Sequence, residues 1–333
     1  MRVFITGIAG FLGSHLAERL LAAGHEVVGC DSLIGGELLN VPPDAIFHQS
    51  DCRDFNAMEK GMRGADLVYH CAATAYEGLS VFSPAMIMDN VLTGSTAVFS
   101  AAIANGARRI VFCSSMARYG TNKVPFQENL SPRPQDPYGI AKVAAEHALI
   151  QLARVHGFEY AIAVPHNIIG RRQKFDDPYR NVASIMANLM LQGREPYIYG
   201  DGEQKRCFSH VDDCLSSLLA MGLTDRAIGE VVNIGPDEEF VSVNALFRRL
   251  KDITGFEGQA IHLADRPAEV KHAWCSSEKA RRLLGYRTTR TLDEGLRDVV
   301  AHIEAVGPRR FRYHLEIEIN NARTPRTWTE RLM

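Results

Sequence analysis

The sequence predicts an α/β protein with a doubly wound parallel sheet, followed by a smaller C-terminal α/β domain. Three observations support this prediction. Short strand-like runs alternate with longer helical patterns through residues 1–165, a glycine-rich turn joins the first strand to the first helix, and an aspartate closes the second strand. Such alternation is typical of βαβ units, in which helices cover both faces of a parallel sheet.

The elements of the first part follow from apolar periodicity and from the turn residues between them. The predicted strands are Val3–Thr6, Glu26–Cys30, Ile46–Gln49, Leu67–Cys71, Arg109–Cys113 and Ala161–Pro165. The predicted helices are Leu12–Ala23, Ala57–Gly61, Ala85–Asn105 and Tyr138–Val155.

Beyond residue 165 the pattern is less regular, which indicates a second domain over residues 166–307 with some chain exchange between the two. The predicted helices are Val182–Gln192, Asp212–Met221, Val243–Thr254, Ser277–Leu284 and Leu292–Glu304, and short strands are predicted near Val231–Ile234 and Gln259–His262. Residues 308–333 form a C-terminal tail. Its alternating apolar residues predict one half-buried strand over Arg310–Asn320, and its end is either disordered or docked on a partner subunit.

The composition excludes several classes of protein. The chain has 333 residues, 46% of them hydrophobic, and a formal net charge of −2, so we expect neither a nucleic-acid-binding surface nor a membrane protein. The glycine-rich turn interrupts the apolar N-terminal run, so no signal peptide is predicted. The seven cysteines include no C-x-x-C pair, which predicts reduced thiols, no metal site and a cytoplasmic protein.

The glycine-rich turn has the spacing G-x-x-G-x-x-G, with Gly7, Gly10 and Gly13 between a strand and a helix. Glycines permit a tight turn and let backbone N–H groups approach a pyrophosphate, which the helix dipole also attracts. Asp31, at the end of the second strand, is placed to accept the adenosine ribose hydroxyls. No Lys or Arg occurs at residues 32–36 to bind a 2′-phosphate, so NAD is predicted in preference to NADP.

Two further strand ends belong to the same predicted cofactor site. Asp51, after the third strand, either lies near the adenine amine or is an ordinary turn aspartate. Cys71, Ala72 and Ala73, after the fourth strand, are small and apolar, as a surface beneath a dinucleotide must be.

A candidate catalytic centre combines Tyr138, Lys142 and Ser115. Tyr138 and Lys142 lie one helical turn apart and therefore share a helix face. An ammonium group and a nicotinamide cation both favour the phenolate, so the phenol pKa is expected to fall from about 10 toward neutrality, where general base catalysis is efficient. Ser115 ends the fifth strand and would hydrogen-bond the same substrate hydroxyl.

These three motifs, the glycine turn, Ser114–Gly120 and Tyr138–Lys142, together resemble the extended short-chain dehydrogenase/reductase family, from residue 1 to about residue 305. The resemblance implies a Rossmann domain of six or seven strands, NAD held through turnover, and a C-terminal domain that binds a nucleoside-diphosphate sugar. The glycine turn, the strand ends and the family motifs give the cofactor-binding residues Gly7, Gly10, Phe11, Leu12, Gly13, Asp31, Asp51, Cys52, Cys71, Ala72, Ala73, Asn90, Tyr138, Lys142 and Pro165.

The resemblance also implies how the nucleotide sugar is bound. Asn167 would touch the sugar diphosphate, Arg206 and Arg266 would bind it, and Glu269 would reach the ribose. The predicted substrate-binding residues are Glu77, Ser115, Met116, Ala117, Asn167, Tyr199, Arg206, Arg266 and Glu269.

The residues after Ser115 narrow the reaction. Dehydratases of the family carry two acid/base side chains there, and decarboxylases generally carry an acid, whereas Met116 and Ala117 transfer no proton. The resemblance therefore implies epimerisation of a nucleotide sugar, most often at C4 of a UDP-sugar, through a keto intermediate. Met116 either forms a wall of the sugar pocket or packs in the core.

Other functions stay open at this point: a C3/C5 epimerase, a dehydratase or a reductase of a nucleotide sugar, and a non-catalytic NAD-binding sensor. Acids for the other reactions would come from Tyr76–Gly78 or from Lys174, Asp176 and Asp177. Arg118 either holds a negative substrate group or faces outward. Because relatives pair their two long helices across a dimer as a four-helix bundle, we also expect a homodimer.

Overall fold

The computed structural model describes residues 1–267 and 270–333, and its centre is a seven-stranded parallel sheet. The strands of the sheet run in the spatial order β11-β6-β5-β4-β1-β2-β3. The described strands are β1 Arg2–Thr6, β2 Glu26–Asp31, β3 Ile46–Gln49, β4 Leu67–His70, β5 Arg109–Cys113, β6 Glu159–Pro165, β7 Ile168–Ile169, β8 Tyr197–Tyr199, β9 Lys205–Arg206, β10 Ser209–His210, β11 Val231–Ile234, β12 Val241–Ser242, β13 Ile261–Leu263 and β14 His272–Ala273.

Helices cover both faces of the sheet and build most of the second part of the chain. The described α-helices are α1 Phe11–Ala22, α2 Phe55–Gly61, α3 Glu77–Ser80, α4 Pro84–Met88, α5 Gly94–Ala104, α6 Pro137–His156, α7 Val182–Leu191, α8 Val211–Leu223, α9 Val243–Thr254, α10 Glu278–Leu284, α11 Leu292–Val306 and α12 Arg326–Thr329. Short 3₁₀ turns occur at Leu38–Asn40 and Met116–Arg118, and a π turn at Asp89–Thr93 joins α4 to α5.

The two faces of the sheet have separate cores. Helices α1 and α8 bury Leu16, Leu20 and Leu218 on one face, and helices α2, α5 and α6 bury Met58, Phe99 and Leu149 and their neighbours on the other. Apolar side chains on both sides of each strand explain why the strands read as continuous apolar runs. The predicted α/β class with a doubly wound parallel sheet is confirmed.

A third core lies in the second part of the chain, where α7, α9 and α11 pack together around Met186, Leu246, Leu250 and Leu296. Small ladders of two or three residues surround these helices, such as β8 with β13. Two elements beyond residue 165 nevertheless belong to the large sheet. Strand β11 pairs with β6, and α8 packs beside α1, so the chain crosses back after it first leaves the sheet.

The predicted strand over Arg310–Asn320 is wrong. These residues form no ladder, because Tyr313, Leu315 and Ile317 pack into a side-chain cluster around Trp328. The tail instead bonds to its own chain through loop groups, including a hydrogen bond from the Ile319 N–H to the Phe82 carbonyl at 2.8 Å.

The continuous helix Pro84–Ala104 is notably apolar. Its 21 residues contain a window with a mean hydropathy of 1.3, of which 44% is buried in the structure. Within the described residues it alone is long and apolar enough to cross a membrane, a test that core helices of water-soluble proteins also pass. Its apolar character therefore fits a helix partly covered by the fold.

Candidate active site

A cavity of about 540 Å³ opens at the carboxyl ends of the parallel strands. In doubly wound sheets this edge is where ligands bind, because the loops that follow the strands separate there. Its walls also include residues of the second part of the chain and of the tail. All the predicted cofactor-binding residues line it: Gly7, Gly10, Phe11, Leu12, Gly13, Asp31, Asp51, Cys52, Cys71, Ala72, Ala73, Asn90, Tyr138, Lys142 and Pro165.

The glycine turn has the close backbone packing that its spacing predicts. Gly7 has a φ of +74°, and a Cβ on Gly13 would lie 2.2 Å from the Gly7 carbonyl oxygen. Helix α1 then begins at Phe11 with no side-chain cap and no acidic residue in its first turn. Its first N–H groups and the positive helix end are thus suited to a pyrophosphate, and the turn fits a dinucleotide.

Two aspartates lie at the dinucleotide end of the cavity. The Asp31 carboxylate accepts the N–H groups of Ala9 at 3.1 Å and Leu33 at 2.8 Å, and burial raises the pKa of Asp31. The Asp51 carboxylate is held by Arg53, whose Nη2 lies 2.7 Å away. Asp31 therefore lies against the glycine turn as predicted, whereas Asp51 is already engaged by a cation.

Tyr138, Lys142 and Ser115 line the same region of the cavity. Helix α6 starts at Pro137 and is capped by Asp136, which accepts the Gly139 N–H at 2.9 Å. The Lys142 Nζ lies 6.0 Å from the centre of the Tyr138 ring and donates to the Cys113 carbonyl at 2.7 Å. The end of β5 and the first turns of α6 thus bring the three predicted side chains together.

The pKa values differ from the expectation for this centre. Burial raises the pKa of Tyr138 to about 12, while a hydrogen bond with Ser115 and the charge of Arg180 act in the opposite direction. Burial lowers the pKa of Lys142 to about 8. In the protein without a cofactor the pKa of Tyr138 is therefore raised, because burial dominates and the Lys142 ammonium is directed at a backbone carbonyl; the predicted fall also depends on the cation of bound NAD.

The substrate side of the cavity contains six of the predicted residues: Glu77, Ser115, Asn167, Tyr199, Arg206 and Arg266. Asn167 donates to the Cys207 carbonyl at 2.9 Å from a left-handed backbone position with a φ of +43°. The Arg206 guanidinium donates to the Lys205 carbonyl at 2.9 Å, and the Arg266 guanidinium lies 4.7 Å from the centre of the Tyr199 ring. Glu269 lies outside the described residues.

Met116 and Ala117, predicted to contact the substrate, are not among the residues that line the cavity; of the two alternatives for Met116, packing in the core fits the structure. Both residues belong to the 3₁₀ turn that follows Ser115, whose hydroxyl accepts the Ala117 N–H at 3.2 Å. Because this turn directs them away from the cavity, Met116 packs against the core between the sheet and α6 and Ala117 is buried beside Tyr138.

Both alternatives for Arg118 are also wrong. Its guanidinium is buried and forms an ion pair with Glu146 at 2.9 Å. The Ser114 hydroxyl donates to the same carboxylate. Arg118 therefore connects the turn after β5 to α6 and does not line the cavity.

The loop after Gly170 reaches the cavity, as considered from the sequence for Lys174, Asp176 and Asp177. Lys174 lines the cavity and pairs with Asp176 at 2.9 Å. Asp177 accepts a hydrogen bond from the Tyr76 hydroxyl at 2.7 Å, and burial raises its pKa. Arg180 was missed, although it lines the cavity and lies 5.9 Å from the centre of the Tyr76 ring.

The tail supplies further residues that were missed. Thr327, Trp328 and Met333 all line the cavity. The single available signal was the tryptophan close to the chain end, and no motif connected it to the glycine turn or to Tyr138.

A Rossmann sheet, a glycine turn fitted to a dinucleotide and a Ser–Tyr–Lys centre together define an NAD-dependent enzyme of the short-chain dehydrogenase/reductase type. The model of the NAD dependent epimerase/dehydratase family matches residues 3–235. The chain belongs to this family.

Three similar proteins illustrate the range of the family. A putative UDP-glucose 4-epimerase of Methanocaldococcus jannaschii is 35% identical over 304 residues, which cover 90% of this chain and 97% of that protein. The structure of UDP-glucose 4-epimerase from Thermotoga maritima with UDP-glucose has a TM-score of 0.86 and 34% identity, covering 92% of this chain and 99% of that one. UDP-glucuronic acid 4-epimerase from Bacillus cereus, in complex with UDP-glucuronic acid and NAD, has a TM-score of 0.84 and 28% identity, covering 92% and 100% of the two chains.

Proposed function

We propose that the protein epimerises a UDP-sugar at C4 by oxidation to a 4-keto intermediate, rotation of that intermediate and reduction from the other face. The observation that carries this proposal is the convergence of Ser115, Tyr138 and Lys142 in one cavity with Arg206 and Arg266. A centre suited to hydroxyl oxidation and two cations suited to a diphosphate thus line one cavity.

The side chains have separate roles in this reaction. The Tyr138 phenolate takes the proton of the C4 hydroxyl and returns it after the keto sugar has turned, while Ser115 hydrogen-bonds the same oxygen. Lys142 is held by the Cys113 carbonyl, which fixes its position beside the Tyr138 ring. Bound NAD supplies the hydride acceptor and donor. Gly7, Gly10, Gly13 and Asp31 would hold that cofactor.

The pKa of Tyr138 limits how the proton is removed. With a pKa of about 12, the phenol is protonated near neutral pH. The cationic ring of the oxidised cofactor favours the phenolate, so we propose that proton removal depends on cofactor binding. Once the hydride has been transferred, the cofactor ring would be neutral, which would keep the phenol protonated and ready to return the proton.

The residues around the reaction centre disfavour elimination of water. Met116 and Ala117 carry no acid and are turned away from the cavity. Of the other acids considered, Asp176 is paired with Lys174 and Asp177 with the Tyr76 hydroxyl, which leaves Glu77 as a single acid on the substrate side of the cavity, where the dehydratases carry two. Epimerisation without loss of a hydroxyl therefore ranks above the dehydratase, C3/C5 epimerase and reductase alternatives.

Proton NMR in D₂O tests the proposal with a panel of UDP-, dTDP-, GDP- and CDP-sugars. We expect a new 4-epimer from a UDP-sugar, with the C3 and C5 protons retained. Deuterium at C3 or C5 would instead indicate deprotonation beside a ketone, as in a C3/C5 epimerase. Nucleotide-sugar binding without product from any member of the panel would favour the non-catalytic sensor.

Arg180 favours a second candidate substrate, a UDP-sugar with a carboxylate at C5. This guanidinium lies at the sugar end of the cavity and forms no salt bridge with the described Asp and Glu residues. Its charge already acts on the buried Asp177 carboxylate and on Tyr138. A sugar carboxylate would pair with the guanidinium directly, and the Bacillus cereus neighbour binds such a substrate. An Arg180→Gln variant should lose activity on UDP-glucuronate far more than on UDP-glucose, and equal losses on both substrates would contradict this candidate.

We also propose that the enzyme is a cytoplasmic homodimer that pairs through Pro84–Ala104 and α6, without a nucleic-acid or membrane partner. The exposed fractions of Ile140 and Val155 in α6, 45% and 76%, support this arrangement because they leave apolar side chains uncovered. Sedimentation equilibrium should give twice the chain mass of 36.9 kDa, and a stable monomer would contradict the dimer.

We further infer that residues 1–165 bind the cofactor and residues 166–307 the nucleotide sugar.

A further inference from the structure

The C-terminal tail crosses the rim of the cavity and contacts both parts of the chain. On the side of the large sheet, the Ser83 hydroxyl donates to the Glu316 carbonyl at 2.8 Å. On the opposite side, the Tyr179 hydroxyl donates to the Leu315 carbonyl at 3.1 Å and Arg194 donates to the Leu332 carbonyl at 2.8 Å. The tail therefore spans the gap between the two walls of the cavity.

A charged contact fixes the middle of the tail. The Glu318 carboxylate accepts the N–H groups of Ala85 at 2.9 Å and Met86 at 2.7 Å. These are the first N–H groups of the helix that starts at Pro84, where a negative charge also interacts favourably with the helix dipole. This cap holds the tail beside the cavity.

Trp328 carries the largest apolar surface of the tail to the cavity. It is only 4% exposed, and its indole N–H donates to the Pro178 carbonyl at 3.0 Å. Its ring makes edge contacts with Phe82 at 5.9 Å and with Tyr179 at 5.5 Å between ring centres. The indole is therefore locked between the two walls while it lines the cavity.

Thr327 connects the tail to the predicted diphosphate site. Its hydroxyl hydrogen-bonds with the Tyr199 hydroxyl, and the Tyr199 ring lies beneath the Arg266 guanidinium. A Cβ on Gly78 would lie 3.4 Å from Arg266 Nη1 and 3.9 Å from the Trp328 ring. One continuous rim of the cavity is thus formed by Thr327 and Trp328 of the tail together with Tyr199 and Arg266.

We propose that the tail is a wall of the nucleotide-sugar pocket, an inference that rests on the proposed function. In this arrangement Trp328 contacts the bound nucleotide sugar, and Thr327 is a positioning residue that orients Tyr199 and, through it, Arg266. The tail lies beyond residues 3–235, which the family model matches. This chain therefore completes its substrate site with a segment that does not belong to the matched part of the family fold.

Tryptophan fluorescence tests the contact with the ligand. The chain has two tryptophans, and Trp274 does not line the cavity, so a Trp274→Phe variant reports on Trp328 alone. We expect UDP and UDP-glucose to change its emission with the same midpoint that calorimetry gives for binding. A Trp328→Phe variant serves as the control and should show no saturable change.

The outcomes separate the two proposals. Calorimetric binding of UDP without any change in Trp328 emission would overturn the role of the tail and leave the proposed function standing. Absence of UDP and UDP-glucose binding by calorimetry would overturn the proposed function, and the tail would lose its role with it.

Kinetics test the positioning role of Thr327. A Thr327→Val variant should raise KM for the nucleotide sugar about fivefold, the effect of one lost hydrogen bond, with kcat and NAD content unchanged. A Thr327→Ser variant keeps the hydroxyl and should restore KM. An unchanged KM in the valine variant, or equal changes in both variants, would contradict the assignment.

Discussion

At the scale of single residues, the account depends on Tyr138 as the group that moves the proton. Its position is set locally, because Asp136 caps α6 and thereby places Tyr138 in the first turn, one turn before Lys142. Ser115 reaches the same point from the end of β5. Asp136 and Ser115 do not react themselves. They determine where the Tyr138 hydroxyl oxygen lies.

A Tyr138→Phe variant removes the proton acceptor and keeps the ring that packs in the cavity. Turnover should fall about 10³-fold, the order of magnitude that a general base contributes. The amount of NAD that copurifies, measured by mass spectrometry, should not change. Tyr160→Phe is a matched control on a neighbouring strand, and retention of more than a few per cent of activity by the Tyr138 variant would remove Tyr138 from this role.

Lys142 gives a prediction about stability and pH. Burial lowers its pKa from 10.5 to about 8. Between these values the unfolded chain binds a proton that the folded chain does not, so the contribution of this residue to stability rises with pH across the window. Below pH 8 the Lys142 amine is protonated in both the folded and the unfolded chain, so the free energy of unfolding carries the full cost of burying the ammonium charge.

A Lys142→Met variant removes that cost. Its urea unfolding midpoint should exceed that of the wild type most clearly at pH 7, and the difference should shrink toward pH 10. A difference that stays constant or grows with pH would mean that the ammonium is not the buried group that the structure indicates.

At the scale of elements, the buried pair Arg118–Glu146 holds the turn after β5 against α6. Arg118 is 5% exposed and Glu146 is 1% exposed, and the Arg118 guanidinium also donates to the Tyr119 hydroxyl at 3.2 Å. The elements that carry Ser115 and Tyr138 are thus joined by a charged contact behind the site. Loss of one partner leaves the other charged and buried.

Arg118→Met should therefore lower the free energy of unfolding by about 3–5 kcal/mol. The double variant Arg118→Met/Glu146→Leu should recover most of this loss, because no unpaired charge remains. Urea denaturation measures both effects, and Arg326→Met, in a fully exposed pair with Glu330, is a control that should show no measurable change. A double variant as unstable as the single one would contradict the explanation.

Comparison of the predicted with the observed strands and helices shows which elements the sequence could predict. The predicted strands and helices of residues 1–307 lie within two residues of the observed ends, because long apolar runs and periodic helices signal their own structure. Strands of two residues, such as β7 and β9, have no periodicity to detect. Arg310–Asn320 alternates as a strand does, and yet its apolar side chains pack into the cluster around Trp328 without forming a ladder.

At the scale of the whole molecule, three buried histidines make stability depend on pH. Burial lowers the pKa of His15 and His166 to about 4 and that of His70 to about 3, from 6.5. The unfolded chain therefore binds protons below pH 6.5 that the folded chain does not accept, and stability is lost as the pH falls through this range.

The thermal midpoint should fall progressively from pH 7 to pH 5, and a His166→Asn variant should show a shallower fall. Asp31 and Asp177, whose pKa values are raised by burial, act in the opposite direction, so the comparison with His166→Asn isolates the contribution of a histidine. Scanning calorimetry checks the prediction, and a midpoint that does not change between pH 7 and pH 5 would contradict it.

The cofactor side of the site could be predicted from the sequence better than the substrate side, because the substrate side is assembled from distant parts of the chain. The cofactor side depends on short contiguous motifs, so Gly7, Asp31 and the residues after β4 could be placed from the sequence. The substrate side joins a loop after residue 170, β8 and the C-terminal tail, and only the fold brings Arg180 and Trp328 to one cavity. The two alternatives for Met116 could not be separated, because adjacency to Ser115 in sequence does not determine which way the following turn points.

The central claim is that hydrogen leaves and returns to C4 within one site, without exchange with solvent. UDP-glucose carrying deuterium at C4 tests it most directly, with proton NMR and mass spectrometry of the product. The account predicts UDP-galactose that retains the deuterium at C4. A product in which deuterium has been replaced by solvent hydrogen at C4, or no 4-epimer from any UDP-sugar labelled in this way, would contradict it.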